Sequence, residues 1–242
     1  MQTEDYYLYK QYIEILRELL NECGVNTNKI KQGDIPVFYN EYKLRTFENI
    51  NHEVFVSKEL FKNKEYQKFK YVINQIIEKA KTGNNLNMYL SKSIKDNIIK
   101  PDKMLNDWGV VHLHLGDKEK NGYVNRTKEL LFIYRDNQDK TKLYILDIFS
   151  HGDWSMKKTI EILRNNWKKA IEKYRTKGIT DVYPKLDDDG HKQIRDINAN
   201  APIVIENDSY LTLGGGFNLM GTNILSTLFM ISKMKKLNNI EN

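Results

Sequence analysis

A single cysteine, Cys23, in 242 residues excludes a disulfide framework and any zinc site built on cysteines within one chain. Its position at the end of a helical pattern predicts a buried thiol. Apolar runs are short, and none approaches the ~20 residues of a membrane span. The opening "MQTEDYYLYK" carries acids at once and has no apolar stretch, so it does not read as a signal peptide, and the expected compartment is the cytoplasm. With 4 prolines, 40% hydrophobic and 29% charged residues, the composition is that of a globular protein, neither disordered nor fibrous. There is no internal repeat and no clear linker.

What the sequence has in excess is positive charge. The net charge is +6 and the pI about 9.0, which points to an anionic partner, nucleic acid first, or to plain solubility charge. The charge is densest over 157–177, where Lys157, Lys158, Arg164, Lys168, Lys169, Lys173, Arg175 and Lys177 stand against only Glu161 and Glu172, the first five being the candidate nucleic-acid contacts. Met156, Ile160, Leu163, Trp167, Ile171 and Tyr174 repeat there at helical spacing, with Ser155 or Asp153 as N-cap. The basic faces of this helix are either solvated or a phosphate-binding surface.

Periodicity divides the chain into a mainly helical region, 1–100, and an α+β region, 101–242, which can form one continuous domain. Tyr9, Tyr12, Leu16, Leu19 and Leu20 before Gly24 predict a first helix. Residues 58–82 predict another, ended by Gly83, and 86–99 continues helically to Pro101. Between them "IPVFYN" and "HEVFVS" read as β-prone runs. After Pro101, "DWGVVHLHLG", "ELLFIYRD" and "KLYILDIFSHG" predict three neighbouring antiparallel strands, with "DNQDKTK" as a hairpin loop. "LDDDGHK" reads as an exposed turn, because it lacks the alternating acids and closing glutamate of a calcium loop. "PIVIEN" and "YLTLGGGF" predict two more strands, and 222–237 a final helix buried on one side. Gly214, Gly215 and Gly216 lack the Walker lysine, which favours a tight turn or close backbone approach over a phosphate cradle.

Two of the five histidines stand two apart in one of these strands. Alternation puts Trp108, Val110, His112 and His114 on one face and Val111, Leu113 and Leu115 on the other, core-facing one. The same arithmetic groups Leu143, Ile145, Asp147, Phe149 and His151. Imidazole pairs suit acid–base work near neutral pH. In RNA cleavage one ring takes the 2′-hydroxyl proton, the other protonates the leaving 5′-oxygen, and Arg126, Arg135 or Lys128 can neutralise the phosphorane. The bland alternative is a pair of hydrogen-bonded surface histidines. A divalent metal held by His112, His114, Asp147 and His151 is the rival chemistry. "GVVHLHLGDKE" resembles half of the first cupin motif, with Glu119 after the pair, although the second motif is missing downstream.

The segment "RTKELLFIYRDNQDKTKLYILDIFSHGDWS", followed by a basic helix, resembles the strand–hairpin–strand core of the RelE and ParE superfamily of bacterial toxins over about residues 110–165. By this resemblance Arg126 matches the strand arginine and His151 the residue that ends the last strand. It implies a bacterial ribonuclease toxin or phage-defence protein, partnered by RNA and by an antitoxin or other regulatory protein. The chain is more than twice the usual family length. The expectation is therefore a metal-independent endoribonuclease with His112, His114, His151 and Arg126 as catalytic groups. Its alternatives are a metal-dependent enzyme at the same histidines and a non-catalytic nucleic-acid or protein interaction module.

Overall fold

The computed structural model describes residues 4–96, 101–150 and 157–240. Its helices are α1 (Glu4–Glu22), α2 (Ile35–Arg45), α3 (Lys58–Lys62), α4 (Tyr66–Lys81), α5 (Lys103–Trp108), α6 (Lys158–Ile171), α7 (Asp188–Asp196) and α8 (Ile224–Ile240). The strands are β1 (Glu53–Val56), β2 (Val110–His114), β3 (Glu119–Lys120), β4 (Tyr123–Val124), β5 (Glu129–Arg135), β6 (Lys142–Ser150), β7 (Ile203–Ile205) and β8 (Asp208–Tyr210). This is an α+β protein. No helix among the described residues is long and apolar enough to cross a membrane.

The main sheet has the order β1-β6-β5-β2. As expected, β2, β5 and β6 are neighbouring antiparallel strands, with the polar loop joining the last two. The fourth strand, β1, pairs in parallel with β6, so the first hundred residues supply a strand as well as a cover. One sheet face, with Val111, Leu113, Leu131, Ile133 and Ile145, packs on α4 through Phe69, Ile73 and Ile76. The other, with Val110, Leu130, Phe132, Tyr134 and Leu146, packs on Ile160, Leu163 and Ile171 of α6 and on the β7–β8 hairpin. A third cluster joins Ile13, Leu16 and Leu20 of α1 to Ile35 and Phe38 of α2.

Phe132 pairs with Asp147 but Ile133 with Ile145, so Leu146 is an extra residue in β6. The Ser57 hydroxyl donates to the Leu146 carbonyl and accepts from Leu60 N–H at 3.1 Å, which pins this bulge to the start of α3. A bulge reverses the phase of alternation. Asp147 therefore shares its row with Phe132, on the face opposite Leu143 and Ile145, and simple alternation along β6 fails there.

Several sequence expectations are corrected. "IPVFYN" opens α2, because Pro36 is welcome in a first helical turn and the burial of Ile35 and Phe38 overrides β propensity. Residues 86–96 form two 3-10 turns, Asn87–Tyr89 and Lys92–Lys95, rather than a helix. There the Asn87 amide bonds both backbone groups of Phe47, at 2.7 and 2.9 Å, in competition with helix formation. Cys23 is exposed, because α1 ends before it and Val25 takes the next buried position. "LDDDGHK" is a helix start: Asp187 accepts from Gly190 N–H at 2.8 Å, and Asp188 and Asp189 occupy the first turn of α7. "YLTL" leaves the strand after Tyr210. Trp108 ends α5 instead of joining β2, because Gly109 caps that helix at φ 70°. The expected caps Asp153 and Ser155 lie outside the described residues, and Asp188 Oδ1 accepts from Lys157 N–H at 2.7 Å before α6.

Gly214 meets the expectation of close approach, since a Cβ there would stand 1.9 Å from the Leu105 carbonyl oxygen. The N–H groups of Gly214, Gly215 and Gly216 donate to Asp107, Thr212 and Asn106 carbonyls, so this run is no phosphate cradle.

Candidate nucleic-acid interface

Among the described residues the outer edge of β2 has no partner strand, and two cavities that hold its histidines make a groove there. At one end a cavity of about 340 Å³ is lined by Arg45, Asp102, His112, Lys192 and Arg195. At the other a cavity of about 380 Å³ is lined by Lys92, His114, Lys120, Tyr123 and Arg126. A small hollow shares Arg45, Asp102 and His112 with the first and Leu90 and Ser91 with the second. The two histidines lie on one strand face two residues apart, a Cα spacing of about 7 Å along the strand.

His114 is buried, and its Nδ1 accepts from Thr127 N–H at 3.3 Å. Thr127 is itself held, accepting from Leu115 N–H at 2.9 Å and donating to the Glu129 carbonyl at 2.6 Å. An Nδ1 that accepts leaves the neutral ring's proton on Nε2. His112 is half-buried, its ring 6.1 Å from that of Phe132.

The groove floor holds a buried ion pair that sequence reasoning missed. Arg195 Nε donates to Asp107 Oδ2 at 2.6 Å, and its guanidinium lies over the Trp108 ring at 3.7 Å. Burial pushes the Asp107 carboxyl up, and the charge and hydrogen bond of Arg195 pull it back. One turn before Arg195 on α7, His191 meets the same Trp108 ring edge-on at 5.4 Å. Burial, with the charges of Arg195 and Lys157, lowers His191 to about 4, so this imidazole is neutral near pH 7. The one available signal was the His191–Arg195 spacing, which sets both residues on one face of a helix after an acidic N-terminus.

Of the other expected site residues, Arg126 is exposed in the His114 cavity, and His151 lies outside the described residues. Asp147 stands two strands from His112 in the same row, about 10 Å away by strand spacing, with Phe132 between. It is engaged by Asn63 and by Ile148 N–H, each at 2.8 Å. Among the described residues, no three His, Cys, Asp or Glu side chains gather as metal ligands. Arg135 is a structural staple: it donates to the Leu44 and Thr46 carbonyls at 3.1 and 2.9 Å and covers the Phe47 ring. Burial lowers its guanidinium to about 10. Lys128 is exposed, outside the groove.

The basic helix α6 differs from its sequence. Arg164 and Lys168 converge with Arg175 on Asp208, at 2.9, 2.8 and 2.9 Å. Hydrogen bonding from Lys168 and Arg164 holds the Asp208 carboxyl down at about 2. Lys158 pairs with Glu161 at 3.4 Å, while Lys157 and Lys169 have no ion pair among the described residues. No family model, no curated protein and no solved structure matches this chain, so its function has to be argued from this groove.

Proposed function

We propose that this chain binds single-stranded RNA in the β2-edge groove and cleaves it without a metal, as a cytoplasmic ribonuclease of a bacterial toxin or phage-defence system. The observation that carries the reading is the coincidence of two imidazoles with an excess of cations: Arg45, Lys92, Lys120, Arg126 and Lys192 line these cavities without an ion pair among the described residues, beside the carboxylates Asp96, Asp102 and Asp196. Phosphates bind to such a surface by displacing counterions. His112 is the base that takes the 2′-hydroxyl proton. His114, with its proton on Nε2, donates to a phosphate oxygen, and Arg126, exposed in the same cavity, neutralises the phosphorane, while the buried Asp107–Arg195 pair holds the neighbouring wall in place. The leaving 5′-oxygen takes its proton from an imidazolium, for which His151 remains the candidate on sequence grounds. Attack of the 2′-oxygen on phosphorus breaks the P–O5′ bond and leaves a 2′,3′-cyclic phosphate and a 5′-hydroxyl.

The test is cleavage of end-labelled RNA with and without EDTA. Chelator-resistant cleavage with cyclic-phosphate ends, lost on 2′-deoxy substitution at the cut and reduced at least ~100-fold by His112→Ala, is expected. Cleavage that EDTA abolishes and one metal restores would move the chemistry to a metal enzyme at these histidines. Binding without cleavage under either condition would leave an interaction module.

A further inference from the structure

Helix α8 begins Ile-Leu-Ser-Thr-Leu-Phe-Met-Ile, apolar on every side, and such a helix belongs in a protein interior. The single chain leaves much of it in water: Leu228 is 55% exposed, Phe229 44% and Ile231 42%. Leu225, Leu228 and Phe229 form one wall of a groove of about 560 Å³ between α2 and α8, with Tyr39 and Leu44 across it and Lys43 at its rim. Further along α8, Lys233, Lys235 and Lys236 have no acidic partner among the described residues. The neighbouring helix α1, packed against both α2 and α8, carries the complementary pattern. Tyr7 and Ile15 are 62% and 54% exposed and align with Leu19 at four-residue multiples, beside the exposed acids Glu14, Glu18 and Glu22.

We infer that this face is covered by a second copy of the same chain, α1 of each copy seating its apolar, acidic stripe on the apolar, basic face of α8 in the other. Since each copy carries both halves, one two-fold axis satisfies both interfaces and closes the assembly as a dimer. The apolar residues supply the affinity, and the opposite charges set which helix meets which.

Sedimentation equilibrium of the full chain tests this. The expected result is a mass near twice the 28.6 kDa of one chain, with dissociation promoted by dilution and by salt. Leu228→Lys and Ile231→Lys, three residues apart on one exposed face of α8 that also carries Lys235, should each give monomers with an unchanged circular dichroism spectrum. Glu18→Lys should weaken the dimer by roughly tenfold, and adding Lys235→Glu to the same chain should restore it. A 28.6 kDa species at every concentration overturns the inference. So does a dimer indifferent to Leu228→Lys and Ile231→Lys, and so does a monomer that instead captures an acidic amphipathic peptide on α8.

Discussion

Two surfaces of this protein have similar basic composition and opposite electrostatics. On α6, Arg164 and Lys168 meet Arg175 at a single carboxylate, Asp208, held some forty residues downstream by the β7–β8 hairpin. Beside β2, the cations come from α2, α7 and the β3–β4 region, singly, and most have no such partner. The dense run is therefore largely neutralised from within, while the dispersed set retains its charge. Charge density along a chain counts cations, and only the fold says where the carboxylates land.

The difference is sharpest at the groove floor, where the Asp107–Arg195 pair is buried, unlike the α6 pairs near the surface. Asp107→Leu leaves the Arg195 guanidinium buried without its counter-ion, which is expected to cost about 3–5 kcal/mol in urea unfolding. The double variant Asp107→Leu/Arg195→Met should recover most of that loss, because it removes both charges together. Recovery failing, with Asp107→Leu itself close to wild type, would mean that water reaches the pair and that the groove floor resembles the α6 surface.

A smaller effect is expected on RNA affinity. Arg126→Glu with Lys192→Glu should weaken binding roughly tenfold or more and reduce the salt slope by about 1 for each phosphate no longer neutralised. Asp208→Asn, which frees Lys168 while Arg164 keeps Glu206 at 2.7 Å and Arg175 keeps Glu172 at 3.2 Å, should instead slightly tighten non-specific binding and steepen that slope. Equal weakening by Lys157→Glu/Lys169→Glu would erase the contrast and return the nucleic-acid surface to α6.

The parts of the fold legible in the sequence were those governed by short-range pattern. The β5–β6 hairpin announces itself by two β-branched, aromatic runs around a polar loop, and β2 by its alternation. Gly214 reads as a close approach because its neighbours offer no phosphate-binding spacing. What stayed hidden depends on distant partners. Asp147 changes faces because of a bulge pinned by Ser57, nearly ninety residues away. Arg45 and Arg195 join His112 from helices that no local pattern brings to β2. "NDWG" stands out in the sequence only for the histidines downstream of it, yet its own Asp107 and Trp108 position the arginine beside them.

A pH titration uses the two basic side chains that meet Trp108, neutral His191 and charged Arg195, to separate burial from exposure. His191 is lowered to about 4 by burial first and then by Arg195 and Lys157, with Asp187 opposing. An unfolded histidine titrates near 6.5, so between about 6.5 and 4 the unfolded chain binds a proton that the native chain does not. Stability then rises with pH across this window: the His191 contribution is complete above about 6.5 and lost as pH falls toward 4. His52, also lowered by burial, acts in the same direction, so the informative quantity is the difference between wild type and His191→Gln. That difference in unfolding free energy should change by on the order of 2 kcal/mol between pH 7 and pH 4, the variant being the less pH-sensitive. Parallel curves would mean that His191 exchanges protons freely with solvent. Trp108 would then be walled off on the Arg195 side alone, and the acid sensitivity of the fold would have to come from His52 and the carboxylates.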